Sequence, residues 1–255
     1  MYGRWRDGRS FDLGRMTFRE LLVAFATHPA IHAYAVLALA SGIAAVAWAE
    51  SGWRTFAAAV VTLLAYPLVE YLVHRFVLHN RFLYRNRFTA ALWKRVHFDH
   101  HQDPHRLDVL FGSLANTLPT IAAISIPLGW LVGGGRAGAA AAFATGLVAM
   151  SLYELCHSMQ HLNYQPRSRY LRRIKQAHLA HHFHHEQGNF GITGFLVDRI
   201  FGTYYATPQE KPRSPTAFNL GYDRAEAERF PWVADLSGAP PREGPPHRGA
   251  EDAKG

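Results

Sequence analysis

The sequence predicts an all-α integral membrane protein: four spanning helices arranged as two hairpins, with a helical cap on one side of the bilayer. Three observations predict it. Four apolar windows approach spanning length, positive charge collects at one end of them, and histidines concentrate at that same end. Of the 255 residues 49% are hydrophobic, yet mean hydropathy is −0.11. Apolar blocks must therefore alternate with very polar ones.

A helix needs about 20 predominantly apolar residues to cross a bilayer. The first window, 30–49, reads AIHAYAVLALASGIAAVAWA. The second, 55–73, contains Pro67 and Glu70. The third, 114–132, carries Pro119 and Pro127, and the fourth, 137–155, is rich in alanine and glycine. Small residues permit close helix approach in lipid, which places the fourth span at the bundle centre. Short links, ESGWR and GGGR, join the windows in pairs.

The opposite ends carry the charge: Arg4 to Arg19 before the first span, Arg75 to Arg106 between the hairpins, and Arg167 to Lys175 after the last. By the positive-inside rule both termini and the long middle loop are cytoplasmic. The formal charge of +8 is thus a topology signal and does not argue for nucleic acid. Cys156 is the only cysteine, which excludes an intrachain disulfide and a cysteine-based zinc module. The polar start, MYGRWRDGRSFDLGRM, does not read as an ordinary cleaved signal peptide. Residues 1–207 are expected to form one membrane-embedded domain. Residues 208–255, rich in proline, glycine and charge, read as a tail that is largely disordered toward its end.

Thirteen of the 16 histidines lie in four clusters at the charged ends: His74 and His79; His97, His100 and His101, with His105 nearby; His157 and His161; and His178, His181 and His182, with His184 and His185. The first and third clusters begin where spans two and four end, so two hairpins deliver histidines to one layer. Residues three or four apart share a helix face. His157 and His161 can therefore grip one ion, and in each H-x-x-H-H the first histidine should face the same way as the later two. The x4 spacing of His74 and His79 turns them about 140° apart on an ideal helix. That pair needs a helix end between its members, or binds different ions. A single H-x-x-x-H is weak evidence for a metal, but four clusters repeated behind two membrane hairpins are specific. Ten imidazoles exceed what one ion coordinates, which points to two ions; iron, zinc, copper and nickel all suit imidazole. Glu70 and Glu154, in the last turns of spans two and four, are placed to orient these rings from behind, or to ligate directly. His28 and His32 read as interfacial residues, and His247 falls in the tail.

The motifs HRFVLH, HFDHH, HSMQH and HLAHH resemble the histidine signature of the fatty acid hydroxylase/sterol desaturase superfamily of membrane oxygenases, over residues 66–205. HHFHHEQGNFGIT, continuing into NFGITGFLVDRIFGTY, looks most like fatty-acid 2-hydroxylases. The resemblance implies a non-haem dimetal centre, diiron in the active enzyme although zinc can occupy it in purified protein. O2 would be activated there and one oxygen inserted into a C–H bond of an acyl chain that enters from the bilayer. It implies ten ligands: His74, His79, His97, His100, His101, His157, His161, His178, His181 and His182. His185 resembles a further family position, behind the ligands or facing substrate, and no catalytic side chain is implied beyond the metal centre. Too few residues precede the first span for a fused electron-transfer domain, so a separate reductase, ferredoxin or cytochrome donor is expected. Alternatives are a carotenoid or sterol hydroxylase or desaturase of the same superfamily, or a non-enzymatic membrane metal-handling protein. The alanine- and arginine-rich composition suggests a bacterial cytoplasmic membrane; a eukaryotic protein of this kind would sit in the endoplasmic reticulum.

Overall fold

A computed structural model of the chain describes residues 12–245. In chain order the α-helices are α1 (Phe18–Thr27), α2 (Pro29–Ala47), α3 (Gly52–Val73), α4 (Phe82–Arg85), α5 (Arg87–Trp93), α6 (Asp99–Gln102), α7 (Leu114–Gly133), α8 (Arg136–His161), α9 (Arg169–Phe183), α10 (Leu196–Ile200), α11 (Arg224–Arg229) and α12 (Trp232–Ser237). Two π-helical turns, His74–Leu78 and Lys94–Phe98, extend α3 and α5. Among the described residues the only β pairing is an isolated bridge between Asp12 and Arg106.

Four helices are long and apolar enough to cross a membrane: Pro29–Ala47, Gly52–Leu78, Leu114–Gly133 and Arg136–His161. The second and fourth run further than the windows 55–73 and 137–155. The reason is that these helices continue past the apolar stretch to carry their histidines. At 1.5 Å per residue α8 is about 39 Å long against a hydrocarbon core of about 30 Å, so its last turns emerge. Burial of the span windows is only 22%, 22%, 11% and 39% in chain order, so most of their apolar surface faces lipid.

α8 is the central helix and packs on α2, α3 and α7. Its buried Ala137, Gly138, Ala141, Ala142 and Gly146 allow that approach. At the α7–α8 contact a Cβ on Gly138 would stand 2.3 Å from the Gly129 carbonyl oxygen. The hairpin between them turns at Gly134, whose φ of 74° suits glycine and whose N–H closes α7 on the Trp130 carbonyl.

The cap is built from α4–α6, α9 and the segment after Pro208. Lys175 of α9 donates to the carbonyls of Leu162 and Tyr164, tying α9 to the end of α8. Composition sets residues 208–255 apart as a tail, yet much of this segment is packed. Leu220, Tyr222 and Val233 share an apolar cluster with Leu83, Tyr84, Trp93 and Phe98. Glu226 accepts from Tyr84 Oη at 2.8 Å and pairs with Arg85 at 3.0 Å, and the Arg242 N–H donates to Gln102 at 2.9 Å. Burial of aromatic area at these few positions outweighs the polar average. The end of the expected disordered stretch, residues 246–255 with His247, lies outside the described residues.

Candidate metal centre

The π-turns explain how the histidine spacings work. After Val73 the backbone loosens by one residue, and the His79 N–H bonds the His74 carbonyl at 3.1 Å across an i→i+5 span. That wider turn brings His74 and His79 onto one side, with ring centroids 4.8 Å apart. They join one group. The second π-turn carries His97 into α6, where His100 and His101 follow.

The ten histidines divide into two groups of five: His74, His79, His97, His101 and His181; and His100, His157, His161, His178 and His182. Within each group one ring nitrogen per residue lies within 4.8 Å of all the others. All ten side chains are at most 9% exposed. The expectation that each H-x-x-H-H acts as one face is corrected here. The i,i+4 pairs His97/His101 and His178/His182 stay together, while His100 and His181 cross to the opposite group. Neighbouring side chains on a helix diverge by about 100°, so His100–His101 and His181–His182 straddle the two groups.

The first group has the chemistry of an ion site. His74 Nδ1 donates to the Phe190 carbonyl, His101 Nδ1 to Ala217 at 2.8 Å, and His181 Nδ1 to Gly188 at 2.8 Å. A carbonyl only accepts, so each of these rings carries its proton on Nδ1 and, when neutral, presents a bare Nε2 lone pair. The Nε2 atoms of His74, His79 and His97 lie 2.9–3.2 Å apart. Two nitrogens about 2.1 Å from a common ion, at 90–109° to each other, would be separated by about 3.0–3.4 Å. In the second group, Nε2 of His161 and His178 are 2.8 Å apart. Both ring nitrogens of His100 and His182, Nε2 of His157 and Nδ1 of His161 and His178 are buried without a hydrogen-bond partner. Each such orphan costs about 1–3 kcal/mol, and for the one nitrogen per ring that converges on the others a cation is the partner that would satisfy the lone pair. Burial, reinforced by neighbouring imidazoles, holds His79, His97, His100, His178, His181 and His182 well below the usual histidine pKa, and burial brings His101 to about 3. The rings are thus neutral and able to ligate.

The three expected supporting groups are placed differently. Glu70 accepts from the N–H groups of Ile192 and Thr193 and from Thr193 Oγ1 at 2.6 Å, so its bonds go to a loop and not to a ring. Glu154 accepts from the Gly112 N–H at 2.9 Å. His185 Nδ1 accepts from the Gln187 N–H at 3.3 Å and lies 3.9 Å from Glu186. Behind three rings of the first group backbone carbonyls stand where carboxylates were expected, because the 188–190 loop and the turn at Ala217 pass there. His184 bonds the Lys211 carbonyl, His105 the His161 carbonyl, and His28 caps α2 by accepting from the Ala30 N–H. Sequence reasoning missed Asp198, which is fully buried and binds the same loop. Its signal was its place within NFGITGFLVDRIFGTY.

A cavity of about 570 Å³ runs between α3, α7 and α8. His74, His97, His100 and His157, from both groups, line its head, and Thr62, Ser125 and Gly146 line its depth. From Thr62 to His74 is about 18 Å along the helix. The walls between are mostly apolar, the character of a site for a long hydrocarbon.

Bundle and centre together define an integral membrane protein with a buried, histidine-rich candidate metal site opening on an apolar cavity. The profile of the fatty acid hydroxylase family matches residues 59–203, and the chain belongs to that family. It is 32% identical over 151 residues to the ceramide very long chain fatty acid hydroxylase SCS7 of Saccharomyces cerevisiae, covering 56% of this chain and 37% of that protein. To the fatty acid 2-hydroxylase of Homo sapiens it is 32% identical over 160 residues, covering 59% and 39%. To the dihydroceramide fatty acyl 2-hydroxylase FAH1 of Arabidopsis thaliana it is 29% identical over 160 residues, covering 58% and 60%. The aligned region thus spans well under half the length of the yeast and human proteins. A solved structure of full-length scs7p, with only the hydroxylase domain visible, superposes with a TM-score of 0.61 at 25% identity, over 79% of this chain and 71% of that one.

Proposed function

We propose that this protein is a membrane-bound fatty-acyl hydroxylase that acts at the 2-position. In this reading His74, His79, His97, His101 and His181 hold one ion, and His100, His157, His161, His178 and His182 hold a second, both iron in the working enzyme. One observation carries it: both five-histidine groups sit at the head of the same apolar cavity. The names of the relatives support an acyl chain as substrate and its second carbon as the target.

Bound iron would supply the O2-activating redox chemistry that side chains lack. The overall balance is one C–H bond and O2, with two electrons and two protons, giving one C–OH and water. The chain's own part is positional. The cavity wall between Thr62 and His74 strips water from the hydrocarbon and aligns it along α3, so the carbons nearest the polar end lie beside the histidines. Neutral, buried imidazoles keep protons away from the ligand atoms. The arginines gathered at the histidine end support a cytoplasmic cap, where a redox partner can reach it.

The test is reconstitution in vesicles with iron, a chemical reductant and O2, followed by mass spectrometry of the lipids. A 2-hydroxyacyl product carrying one atom from labelled O2 is expected. Hydroxylation confined to added carotenoid or sterol would move the protein to another substrate class, and transport of metal without any oxygenated lipid would end the enzyme reading.

A further inference from the structure

The loop that follows the last histidine cluster is held by carboxylates at every backbone amide from Phe190 to Thr193. Asp198 accepts from the Phe190 N–H at 2.9 Å through Oδ1 and from the Gly191 N–H at 2.8 Å through Oδ2. Glu70 accepts the next two, from Ile192 and Thr193. Thr203 Oγ1 adds a bond to Asp198 Oδ1 at 2.7 Å. The loop has no room to relax: a Cβ on Gly191 would lie 1.9 Å from the Gly194 carbonyl oxygen, and Asn189 sits at a φ of 54°. Buried charge bonded in this way fixes backbone shape, because leaving either side of such a bond unpaired is costly.

The loop also ties to α8, where the Ile192 carbonyl accepts from Gln160 Nε2 at 2.7 Å, but the rings it bonds belong to one histidine group. The Gly188 carbonyl accepts from His181 Nδ1 and the Phe190 carbonyl from His74 Nδ1. No member of the second group bonds to it. In that group Nδ1 of His161 and His178 and both nitrogens of His100 and His182 have no carbonyl behind them, whereas His74, His101 and His181 of the first group each have one. The two groups are therefore equal in number of rings and unequal in preparation.

We propose that Asp198, with Glu70, is a positioning residue for the first histidine group. The carboxylates hold the loop, and the loop's carbonyls set the proton position and the aim of His74 and His181. The first group consequently binds its ion more tightly than the second. The proposal rests on the metal-binding reading above.

The test is a titration of metal-free protein with Co(II), followed by visible absorption and by bound metal per chain. The unaltered protein should bind two ions in two separate steps. Asp198→Asn keeps the side chain's shape but removes one acceptor oxygen. It should weaken the tighter step about 10- to 100-fold, the usual effect of losing a group behind a ligand, and shift that step's absorption band while the weaker step stays in place. Thr203→Val, which deletes the hydroxyl's bonds to Asp198 and to Tyr71 Oη, should do the same to a smaller degree and covers the case in which Asp198→Asn misfolds. Glu226→Gln, which loosens the cap far from the loop, should lower the melting temperature and leave both steps unchanged. Equal weakening of both steps in Asp198→Asn and Thr203→Val, or no change in either, would overturn the proposal. A parent protein that binds no cobalt at all would instead remove the metal-binding reading beneath it.

Discussion

A histidine ligates only while it is neutral, and here neutrality is built in by burial. His101 shows the direction clearly, with its folded pKa near 3 against about 6.5 for a free ring. Because the folded value lies below the unfolded one, the folded state disfavours the proton. The stability this ring contributes is fully present above pH 6.5 and is lost progressively as pH falls from there toward 3. Metal-free protein in detergent should therefore melt at a steady temperature above about pH 7 and at a falling one below about pH 6. A midpoint flat down to pH 4 would contradict the burial of these rings as neutral groups. Ligation has its own test at this scale. His161→Ala, at the end of α8, should lower bound metal from two ions per chain toward one. His32→Ala, whose ring bonds the Ala26 carbonyl at the start of α2, should leave metal content unchanged.

Among elements, α7 and α8 show how close approach is written in small residues. Gly138→Leu would drive side-chain atoms into the Gly129 carbonyl and should cost about 1–3 kcal/mol, read as a lower melting temperature. Gly42→Leu, on α2 where nothing lies within 4 Å, should leave that temperature unchanged. The four spans and the gathering of ten histidines at one end were readable from the sequence, because apolar length and residue type carry that information directly. The division into groups was not. It depends on two π-turns, and a π-turn is one residue more than an α-turn in the same length of helix, a difference that no residue type announces. The backbone carbonyls of Gly188, Phe190 and Ala217 were equally silent, since every residue has one. Glu70 was singled out as a charge at the right depth, but its bonds run to a loop 122 residues away in sequence.

At the scale of the whole molecule, a membrane bundle supplies the cavity and a cap closes its head. The segment after Pro208 belongs to that closure. It covers Tyr84 and Trp93, and its Ala217 carbonyl anchors His101. A chain ended at residue 207 should lose metal and become open to proteolysis around residues 82–93. Undiminished metal with an unchanged digestion pattern would show the segment to be dispensable. The Ala217 contact also bears on the order of events during synthesis. Ala217 follows all four spans and α9, so the first histidine group cannot be fully anchored until residue 217 has left the ribosome. Metal capture by the proposed centre would then fall after insertion of the bundle, and a stalled or shortened nascent chain would hold its histidines at the bilayer surface without closing them around an ion.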